Sequence, residues 1–278
     1  MSSRFLRSIA FAAVCGLAWT TSTSAQSQHP ATEQRQLRVC ADPANMPFSD
    51  EAQQGFENKI AELLARDIHA HLTYVWQRMG RGFVREFVGK QCDVLIGVPA
   101  GYMPMLTTAP YYRSTYVFVT PARSGLRNIS LDDPVLHKLK IGVQVVEDDY
   151  TPAGRALARR GMQANIVGYD TAADAPSIIR AVAERKVDAA IVWGPLAGYY
   201  ARRYGGALQL TPVTPQVDPP GVPFTFAISM GVKKGNTQLR EELEGFLRRR
   251  QPQVRAILAR YGVPQLEMAP SRPQERGN

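Results

Sequence analysis

Short apolar strands that alternate with amphipathic helices constrain the fold of this 278-residue chain more than any other feature. Residues 37–41 form an apolar segment of strand length. Apolar side chains then recur at helical spacing over residues 56–68, and residues 72–76 form the next strand. A further helix precedes a strand at residues 93–97. Because strands that alternate with helices pair in parallel, the pattern predicts an α/β fold.

The remainder of the chain repeats this alternation and predicts a second unit of the same kind. A strand at residues 116–120 leads to a polar loop, where we place the first crossing between two lobes. Thr151 and Pro152 are typical of a helix start, with a hydroxyl cap and a proline at the first helical position. Proline-rich residues 211–223 indicate a linker, and residues 224–229 form the strand that returns to the first lobe.

The length of the chain exceeds that of one typical hydrophobic core, which favours two lobes. Two terminal helices are predicted, at residues 239–247 and 254–261. We therefore predict a two-lobed α/β fold in which each lobe is a mostly parallel sheet flanked by helices. The predicted boundaries are a signal peptide at residues 1–25, a first lobe formed by residues 37–120 and 222–265, a second lobe at residues 121–221, and a flexible tail at residues 266–278.

The amino terminus has the pattern of a secretory signal peptide. Arg4 and Arg7 precede an apolar run at residues 9–19, and a short polar stretch ends at Ala25, after which we expect cleavage. The apolar run is shorter than the roughly 20 residues that span a bilayer, so we expect no membrane span. The mature protein is predicted to lie in the periplasm.

The balance of charge is basic, with 33 Lys and Arg against 24 Asp and Glu in the whole chain. Such a balance favours an acidic partner or surface. We expect no nucleic acid, because the basic residues are scattered along the helices instead of forming one stripe. The tight run at residues 248–250 is interpreted as a solvated helix face, with a docking patch as the alternative.

Two cysteines, Cys40 and Cys92, remain after the predicted cleavage and are a candidate disulfide. An even number of cysteines in an oxidising compartment favours the bond. The predicted strand register opposes it, because it offsets the two residues by about three positions, or roughly 10 Å, whereas a disulfide tolerates about 7 Å between Cα atoms. The sequence leaves both states open.

Candidate metal ligands are sparse, and we expect neither a metal nor a bound cofactor. Residues 147–149 are acidic and could offer oxygens to a hard cation, but they also suit the positive end of the helix that begins near Pro152. His69 and His71 are two positions apart and do not share a face. No phosphate-binding loop or metalloprotease motif is present.

Taken in order, these segments resemble the class II periplasmic binding proteins of ABC importers, whose two α/β lobes close on a solute. The resemblance spans most of residues 37–264. The segments that carry it are residues 37–42, 47–48, 55–56, 92–94, 110–114, 140–144 and 231–236. It implies that the loops following the strands of both lobes face an interlobe cleft, as they do in open α/β sheets.

Two departures from the amino-acid receptors of that family bear on the ligand. Those receptors carry an arginine after the strand equivalent to residues 94–97, where its guanidinium clamps a substrate carboxylate. Residues 98–105 of this chain contain no arginine. Trp193 stands where those receptors place an aspartate for the substrate ammonium. An amino acid would therefore be desolvated in this cleft without compensation, so an ordinary amino-acid receptor is not expected.

In the regions of these departures the chain resembles a narrower group of proteins. They are the MoxJ/XoxJ-type binding-protein homologues associated with PQQ-dependent (quinoprotein) alcohol dehydrogenases such as methanol dehydrogenase. The strings that carry this resemblance are residues 97–102, 106–108, 110–118 and 260–264. The resemblance implies a non-enzymatic accessory factor that binds the dehydrogenase, or a related ligand, through an aromatic cleft.

The candidate cleft residues lie on or beside the loops that follow predicted strands, and core packing is the alternative for several of them. They are Asp42, Asn45, Met46, Phe48, Tyr102, Tyr112, Asp148, Tyr150 and Trp193. Two other functions stay open, a receptor of an ABC importer for a small alcohol-related solute and a dehydratase-type enzyme. The enzyme would need Asp42 or Asp148 as its acid or base, and a shared fold alone does not supply that chemistry.

Overall fold

A computed structural model describes residues 35–268, apart from residues 81, 147 and 148. The predicted signal peptide at residues 1–25 and most of the predicted tail lie outside the described residues. Within residues 35–268, none of the described helices has the length and apolar character needed to cross a bilayer.

Strands and helices alternate along much of the described chain. The strands are β1 (Gln36–Ala41), β2 (Ala44–Asn45), β3 (Ser49–Asp50), β4 (His71–Trp76), β5 (Val94–Pro99), β6 (Leu106–Thr107), β7 (Tyr112–Pro121), β8 (Ile141–Val146), β9 (Asp149–Tyr150), β10 (Ile166–Asp170), β11 (Ala189–Trp193), β12 (Leu208–Pro212), β13 (Val217–Asp218), β14 (Val222–Pro223) and β15 (Thr225–Val232). The helices are α1 (Phe56–Asp67), α2 (Phe83–Phe87), α3 (Pro152–Arg159), α4 (Ser177–Ala183), α5 (Gly194–Ala201) and α6 (Thr237–Arg260). Short 3-10 turns lie at Pro134–Lys138, Gln163–Asn165 and Arg202–Tyr204.

The main sheet has the strand order β10-β8-β11-β7-β15-β5-β1-β4. Strands β4, β1 and β5 are mutually parallel and form the sheet of the first lobe. Strands β10, β8 and β11 are likewise parallel and form the sheet of the second lobe. β7 and β15 run antiparallel to their neighbours between these two groups. The predicted two-lobed α/β fold with mostly parallel sheets is confirmed.

The long strands β7 and β15 carry the chain between the lobes. Tyr112 to Thr115 of β7 pair with β15, whereas from Tyr116 onward β7 pairs with β11 and β12 of the second lobe. The change of partner therefore falls between Thr115 and Tyr116, earlier than the predicted crossing at residue 121. A strand of ten residues is long enough to contribute to two sheets. A prediction that assigns each segment to one lobe cannot place such a strand correctly. We propose this change of partner as the lobe boundary.

Each lobe has apolar cores on both faces of its sheet, which is the main source of its stability. In the first lobe, Phe56, Ile60 and Leu64 of α1 pack with Phe246 and Leu258 of α6. In the second lobe, α4 and α5 cover one face and α3 covers the other. Phe224, just before β15, packs in the core of the second lobe, not the first.

The carboxyl-terminal region differs from the prediction of two helices, because α6 is continuous with Pro252 inside it. Proline removes one helical hydrogen bond and usually ends or kinks a helix. Here Phe246 before the proline and Val254 after it are both buried in the same core, so packing keeps the helix intact. The predicted flexible tail also begins too early, since Leu266 N–H donates to the carbonyl of Arg113 at 2.8 Å.

The basic run at residues 248–250 fixes α6 to α1. Arg249 and Arg250 both donate to the carboxylate of Asp67, at 2.6 Å each, and the Asp67 side chain is almost fully buried. Burial raises the pKa of Asp67, but the hydrogen bonds from Arg249 and Arg250 outweigh it, so the pKa of Asp67 lies below its usual value. Two of the three arginines therefore hold helices together, which favours the structural interpretation over a docking patch.

Two other local predictions need correction. Thr151 does begin α3, but within the described residues its buried hydroxyl has no hydrogen-bond partner, so it does not cap the helix with its side chain. The region predicted as a linker at residues 211–223 contains the end of β12 and the hairpin β13-β14. Main-chain hydrogen bonds between β13 and β14 satisfy polar groups in this segment although its prolines lack an N–H donor.

Candidate functional site

Three of the predicted residues, Asp42, Tyr102 and Trp193, lie at or just after the carboxyl ends of the parallel strands β1, β5 and β11. Strands β1, β4 and β5 of the first lobe are parallel and end at the same edge of their sheet, as do β8 and β11 of the second lobe. Ligands of open α/β folds bind beyond these strand ends, where loops project without covering helices. The geometry of each loop decides which residues can contact a ligand or partner.

The loop after β1 is held by the carboxylate of Asp42. Asp42 Oδ1 accepts the N–H of Ala44 at 2.9 Å, and Oδ2 accepts the N–H of Met79 at 3.1 Å. The second bond ties the loop after β1 to the loop after β4. Asp42 is therefore a positioning residue that connects these two loops.

The segment that follows Asp42 is a small hairpin instead of an open loop. Asn45 is exposed and pairs with Ser49 across β2 and β3, and the Met46-Pro47 peptide between these strands is cis. The carbonyl of Met46 accepts a hydrogen bond at 3.3 Å from the hydroxyl of Tyr200, which lies on α5 of the second lobe. The Phe48 ring is half-buried against Phe56, with ring centroids 5.2 Å apart. This hairpin therefore contacts both lobes.

Trp193 ends β11 at the seam between the lobes. Its ring lies 5.4 Å from that of Tyr116 and 5.7 Å from that of Phe226, measured between centroids. Its main-chain N–H donates to Oε1 of the buried Gln144 at 2.6 Å. The indole is half-buried by these contacts and does not project freely.

Four large apolar side chains are exposed on the loops that follow the strands of the two lobes, and we call them the rim residues. They are Met79, Tyr102, Met103 and Tyr150. Tyr102 and Tyr150 are each 39% exposed, and Met103 is 79% exposed. Met79 follows β4 and the Tyr102-Met103 turn follows β5, whereas Tyr150 lies on β9, which pairs with the end of β8. Met79 and Met103 were not predicted as site residues.

Tyr112 was predicted as a cleft residue, and that prediction is wrong. It is 3% exposed and belongs to the core of the first lobe, where its ring meets Phe56 edge-on at 6.4 Å. Burial raises the pKa of Tyr112 well above the usual value for tyrosine. As the first residue of β7, it lies under α1 instead of on a loop. Asp148 lies outside the described residues.

Glu57 is a buried carboxyl near Asp42 that the sequence did not reveal. It lies in the first turn of α1 and is only 9% exposed. Burial, and secondarily the negative charge of Asp42, raise the pKa of Glu57 to about 8. Gly97 of β5 faces it so closely that a Cβ on that residue would lie 1.9 Å from Glu57 Oε1.

The sequence offered one indirect signal for this carboxyl. Gly97 has φ +86°, a conformation that favours glycine, and it interrupts an otherwise apolar strand. A glycine within a strand often marks the close approach of another group. The helical pattern alone places Glu57 on a polar face, so its burial follows only from the way α1 packs across β5.

The structure joins Cys40 and Cys92 as a disulfide, with Cα atoms 5.5 Å apart. The predicted offset of the register is correct, since Cys40 pairs with Leu95 on β5. The predicted separation of about 10 Å is not, because Cys92 precedes β5 in a tight turn where it bridges to Val88. The bond connects β1 to this turn at the core formed with Phe83.

Comparison with known sequences gives relatives over nearly the whole chain. A protein named MoxJ from Paracoccus denitrificans is 33% identical over 279 residues, which cover 93% of this chain and 98% of that protein. The chain belongs to the MoxJ family. MoxJ of Methylorubrum extorquens is 32% identical, with 94% of this chain and 92% of that protein covered. No protein-family model matches the chain.

Solved structures of the same family share the fold. MxaJ from Methlophaga aminisulfidivorans MPT has a TM-score of 0.73 at 27% identity and covers 83% of this chain and 100% of its own. The periplasmic binding protein XoxJ from Methylobacterium extorquens AM1 has a TM-score of 0.67 at 36% identity, covering 84% and 100%. An ancestral cationic amino-acid binding protein, at 17% identity and a TM-score of 0.64, shows the fold alone. The predicted resemblance to MoxJ/XoxJ-type periplasmic binding proteins is confirmed.

Proposed function

We propose that this MoxJ-family chain is a periplasmic accessory factor of a PQQ-dependent alcohol (methanol) dehydrogenase system, and that it binds the dehydrogenase through the rim residues without catalysing a reaction. The observation that carries the proposal is the exposure of Met79, Tyr102, Met103 and Tyr150 on cleft loops of both lobes. Family membership supports the link to alcohol oxidation, and the likeness to periplasmic binding proteins supports the compartment.

The chemistry of the rim suits a protein surface. Large apolar side chains exposed together on a soluble protein mark interaction sites, and Met and aromatic residues are enriched in the centres of interfaces. Met103 exposes most of its side chain. Loops at this position of an α/β fold can readily carry polar residues, so an exposed methionine is not required by the fold. Tyrosine offers a large contact area together with a hydroxyl that can stay hydrated. A partner that covers the rim would gain this apolar contact.

The residues proposed to form the floor of the cleft argue against an amino acid as the ligand. Residues 98–105 supply no arginine to the first-lobe side, and Trp193 packs against Tyr116 and Phe226 where amino-acid receptors have an aspartate. A carboxylate in this cleft would lack the paired hydrogen bonds that compensate its desolvation. The cluster of Trp193, Tyr116 and Phe226 is instead apolar, as the centres of protein interfaces are.

The net charge of +9 favours an acidic partner. Opposite net charges accelerate association of two proteins, and salt screens the attraction over about 8 Å at physiological ionic strength. Arg248 of the basic run has its side chain 74% exposed and only a 3.9 Å ion pair with Glu244, so its charge faces solvent. The complex is therefore expected to weaken as salt rises.

The test is capture of a PQQ-dependent dehydrogenase from periplasmic extract by the mature protein, repeated with the purified enzyme over a range of salt. A Tyr102→Ser/Met103→Ser variant should bind the dehydrogenase at least tenfold more weakly, about 1.4 kcal/mol. Val217→Ser is the matched control, because Val217 is an apolar side chain that is 55% exposed on β13 and is not one of the rim residues. Equal affinity of the rim variant and the control would rule out this interface.

A receptor for a small alcohol-related solute is the second candidate function. The observation that favours it is Glu57, a buried carboxyl at the cleft with no side-chain partner among the described residues. The receptor would bind a free small molecule and close upon it, which thermal shift with small alcohols and amines measures directly. The dehydratase alternative gains nothing from Asp42, whose carboxylate is engaged by two main-chain N–H groups.

A further inference from the structure

A concave surface lies at one edge of the second-lobe sheet, where β7 ends beside the start of β12. The cavity encloses about 470 Å³ and lies between the end of β7, the turn before β12 and the end of α4. Because β11 runs antiparallel to β7, this edge is the one where β11 begins at Ala189, whereas Trp193 ends β11 at the opposite edge. None of the rim residues lines the cavity. It is therefore a separate concave surface of the second lobe.

Two arginines line this surface, which we call the arginine cavity. Arg123 lies just after β7 and Arg185 lies just after α4, and both side chains are exposed. Within the described part of the chain, neither guanidinium forms an ion pair or a hydrogen bond. The carboxylate of Glu184, next to Arg185 in the sequence, pairs with Lys186 at 2.7 Å instead. Two positive charges without an acidic partner therefore line the cavity.

Arg185 has a backbone conformation that favours glycine, with φ +56°. Its N–H donates to the carbonyl of Val182 at 3.1 Å, and the N–H of Lys186 donates to the carbonyl of Ala181 at 2.9 Å. A helix that ends with this pair of hydrogen bonds usually has glycine at the left-handed position, because any Cβ there is unfavourable. The stability of the end of α4 therefore does not account for an arginine at this position. The guanidinium that it brings to the cavity does.

The remaining wall of the arginine cavity is mainly apolar. Pro121, Ala183 and Leu208 contribute aliphatic surface, and the half-buried Tyr204 adds an aromatic residue with a hydroxyl group. Sites for small molecules are concave, largely apolar and provided with a few polar groups that fix the orientation of the ligand, and their volumes are about 300–1,000 Å³. The cavity meets these conditions, so its shape favours a small ligand over the flat surface of a macromolecule.

We propose that the arginine cavity binds a small organic dicarboxylate, with Arg123 and Arg185 each pairing with one carboxylate. A guanidinium matches a carboxylate through two parallel N–H···O hydrogen bonds. A dianion balances both positive charges, whereas a monocarboxylate leaves one guanidinium without a partner. The carbon chain of the ligand then contacts the apolar wall. The site is separate from the rim residues and does not rest on the function proposed above.

NMR of mature protein labelled with nitrogen-15 in its arginines tests the site directly, with succinate as the probe. The Nε–Hε signals of Arg123 and Arg185 should shift together and saturate. Propionate, which has one carboxylate, should bind at least about tenfold more weakly, and the neutral analogue succinamide should cause no shift. Added sodium chloride should weaken succinate binding, because both arginines are exposed and salt screens their charge. Unchanged arginine signals, or equal affinity for propionate, would overturn the site.

Two further probes distinguish other sources of the same charge. Inorganic phosphate carries a comparable charge but has no carbon chain to contact the apolar wall, so it should bind more weakly than succinate. A short peptide of aspartate and glutamate, blocked at both ends, represents an acidic segment of a protein partner and should also bind more weakly. Tighter binding of phosphate or of the peptide than of succinate would overturn the assignment to a small dicarboxylate.

Three variants separate the site from the general charge of the protein. Arg123→Gln and Arg185→Gly should each weaken succinate binding at least about tenfold. Arg185→Gly should also be at least as stable in urea unfolding as the unmodified protein, because glycine adopts a positive φ without strain. Loss of binding in a protein that is not destabilised therefore cannot be attributed to misfolding.

Arg66→Gln is the matched control, because Arg66 is an exposed arginine in the last turn of α1 and its replacement removes the same charge from the first lobe. This variant should bind succinate like the unmodified protein. Retained succinate binding by Arg185→Gly would refute the proposal. Equal weakening by Arg66→Gln would also refute it, since succinate would then respond only to the net charge. A destabilised Arg185→Gly variant would show that Arg185 serves the fold instead of a ligand.

Discussion

Gly198 of α5 and Gly262, in the turn that follows α6, approach so closely that only a hydrogen fits on the Gly198 Cα. A Cβ there would lie 1.9 Å from the carbonyl oxygen of Gly262. Next to them the rings of Tyr199 and Tyr261 stack with centroids 5.8 Å apart. α5 belongs to the core of the second lobe, whereas Val263 is buried in the first. This contact therefore joins the lobes beside the strands that cross between them.

Gly198→Ala should destabilise the protein by about 1–3 kcal/mol, because the added methyl group forces the two segments apart. In an unobstructed helix the same change stabilises by up to about 1 kcal/mol, since glycine is the weaker helix former. The sign of the change therefore tests the contact. Urea unfolding measures it, and Gly198→Val should be worse than Gly198→Ala. A more stable alanine variant would show that the lobes do not touch here.

The disulfide of Cys40 and Cys92 should stabilise the mature protein by about 2–4 kcal/mol, because it closes a long loop between residues 52 positions apart. The Cys40→Ser/Cys92→Ser variant should lose this amount in urea unfolding. Thiol titration under denaturing, non-reducing conditions should find no free thiol in the mature oxidised protein. Reduction should expose two thiols and bring the stability to that of the double variant. Two reactive thiols before reduction would contradict the bond.

The sequence predicts individual strands and helices well where local pattern and burial agree. β1, α1 and β11 appear close to their predicted bounds because each has one uniform periodicity and ends at Asp, Gly or Pro signals. It fails where the fold overrides a local rule. Pro252 stays within α6 because Phe246 and Val254 share one core.

The sequence predicts which residues follow the parallel strands but not what they contact. Asp42, Tyr102 and Trp193 lie at or just after strand ends as predicted, since that rule needs only strand order. The burial of Tyr112 and Glu57 depends on how α1 packs over the sheet, and a tyrosine or glutamate has the same appearance in the sequence whether it is buried or exposed. The burial of these two residues can therefore be recognised only from the three-dimensional structure.

Gln144 should fix the position of Trp193 in the cleft floor. Its Oε1 accepts the Trp193 N–H, and its Nε2 donates to Thr171 Oγ1 at 3.0 Å. Gln144→Leu leaves both partners unpaired and should destabilise the protein by about 1–3 kcal/mol. In a Trp76→Phe background, Trp193 reports by fluorescence, and its emission should shift to longer wavelength as water reaches the indole.

Gln209→Leu is the control for Gln144→Leu, because the amide of Gln209 makes only a 3.5 Å contact to Thr211, which lies on the same strand, β12. Its effect should stay within about 0.5 kcal/mol, with unchanged Trp193 emission. If Gln144→Leu leaves emission and stability at the level of this control, Trp193 is held by its aromatic neighbours alone.

Asp218 should make the stability of the second lobe sensitive to acid. It is 1% exposed and accepts hydrogen bonds from Arg160, at 2.6 Å, and from Arg159. Burial raises the pKa of Asp218, but the hydrogen bonds from Arg160 and Arg159 outweigh it, so the pKa falls below 3.8. Because the folded-state pKa is the lower one, this stabilisation is fully present above the unfolded value of about 3.9 and is lost as pH falls through the folded-state pKa.

Asp218→Asn should therefore be less stable than the unmodified protein by about 1–3 kcal/mol at pH 7, with the difference shrinking as the pH falls below 3.8. Urea unfolding across that range measures it. Asp149→Asn is the matched control, because Asp149 is 69% exposed in its pair with Arg155 and such pairs contribute less than about 1 kcal/mol. A difference between Asp218→Asn and the unmodified protein that stays constant from pH 7 down to pH 2.5 would mean that Asp218 acts through shape and not through its charge.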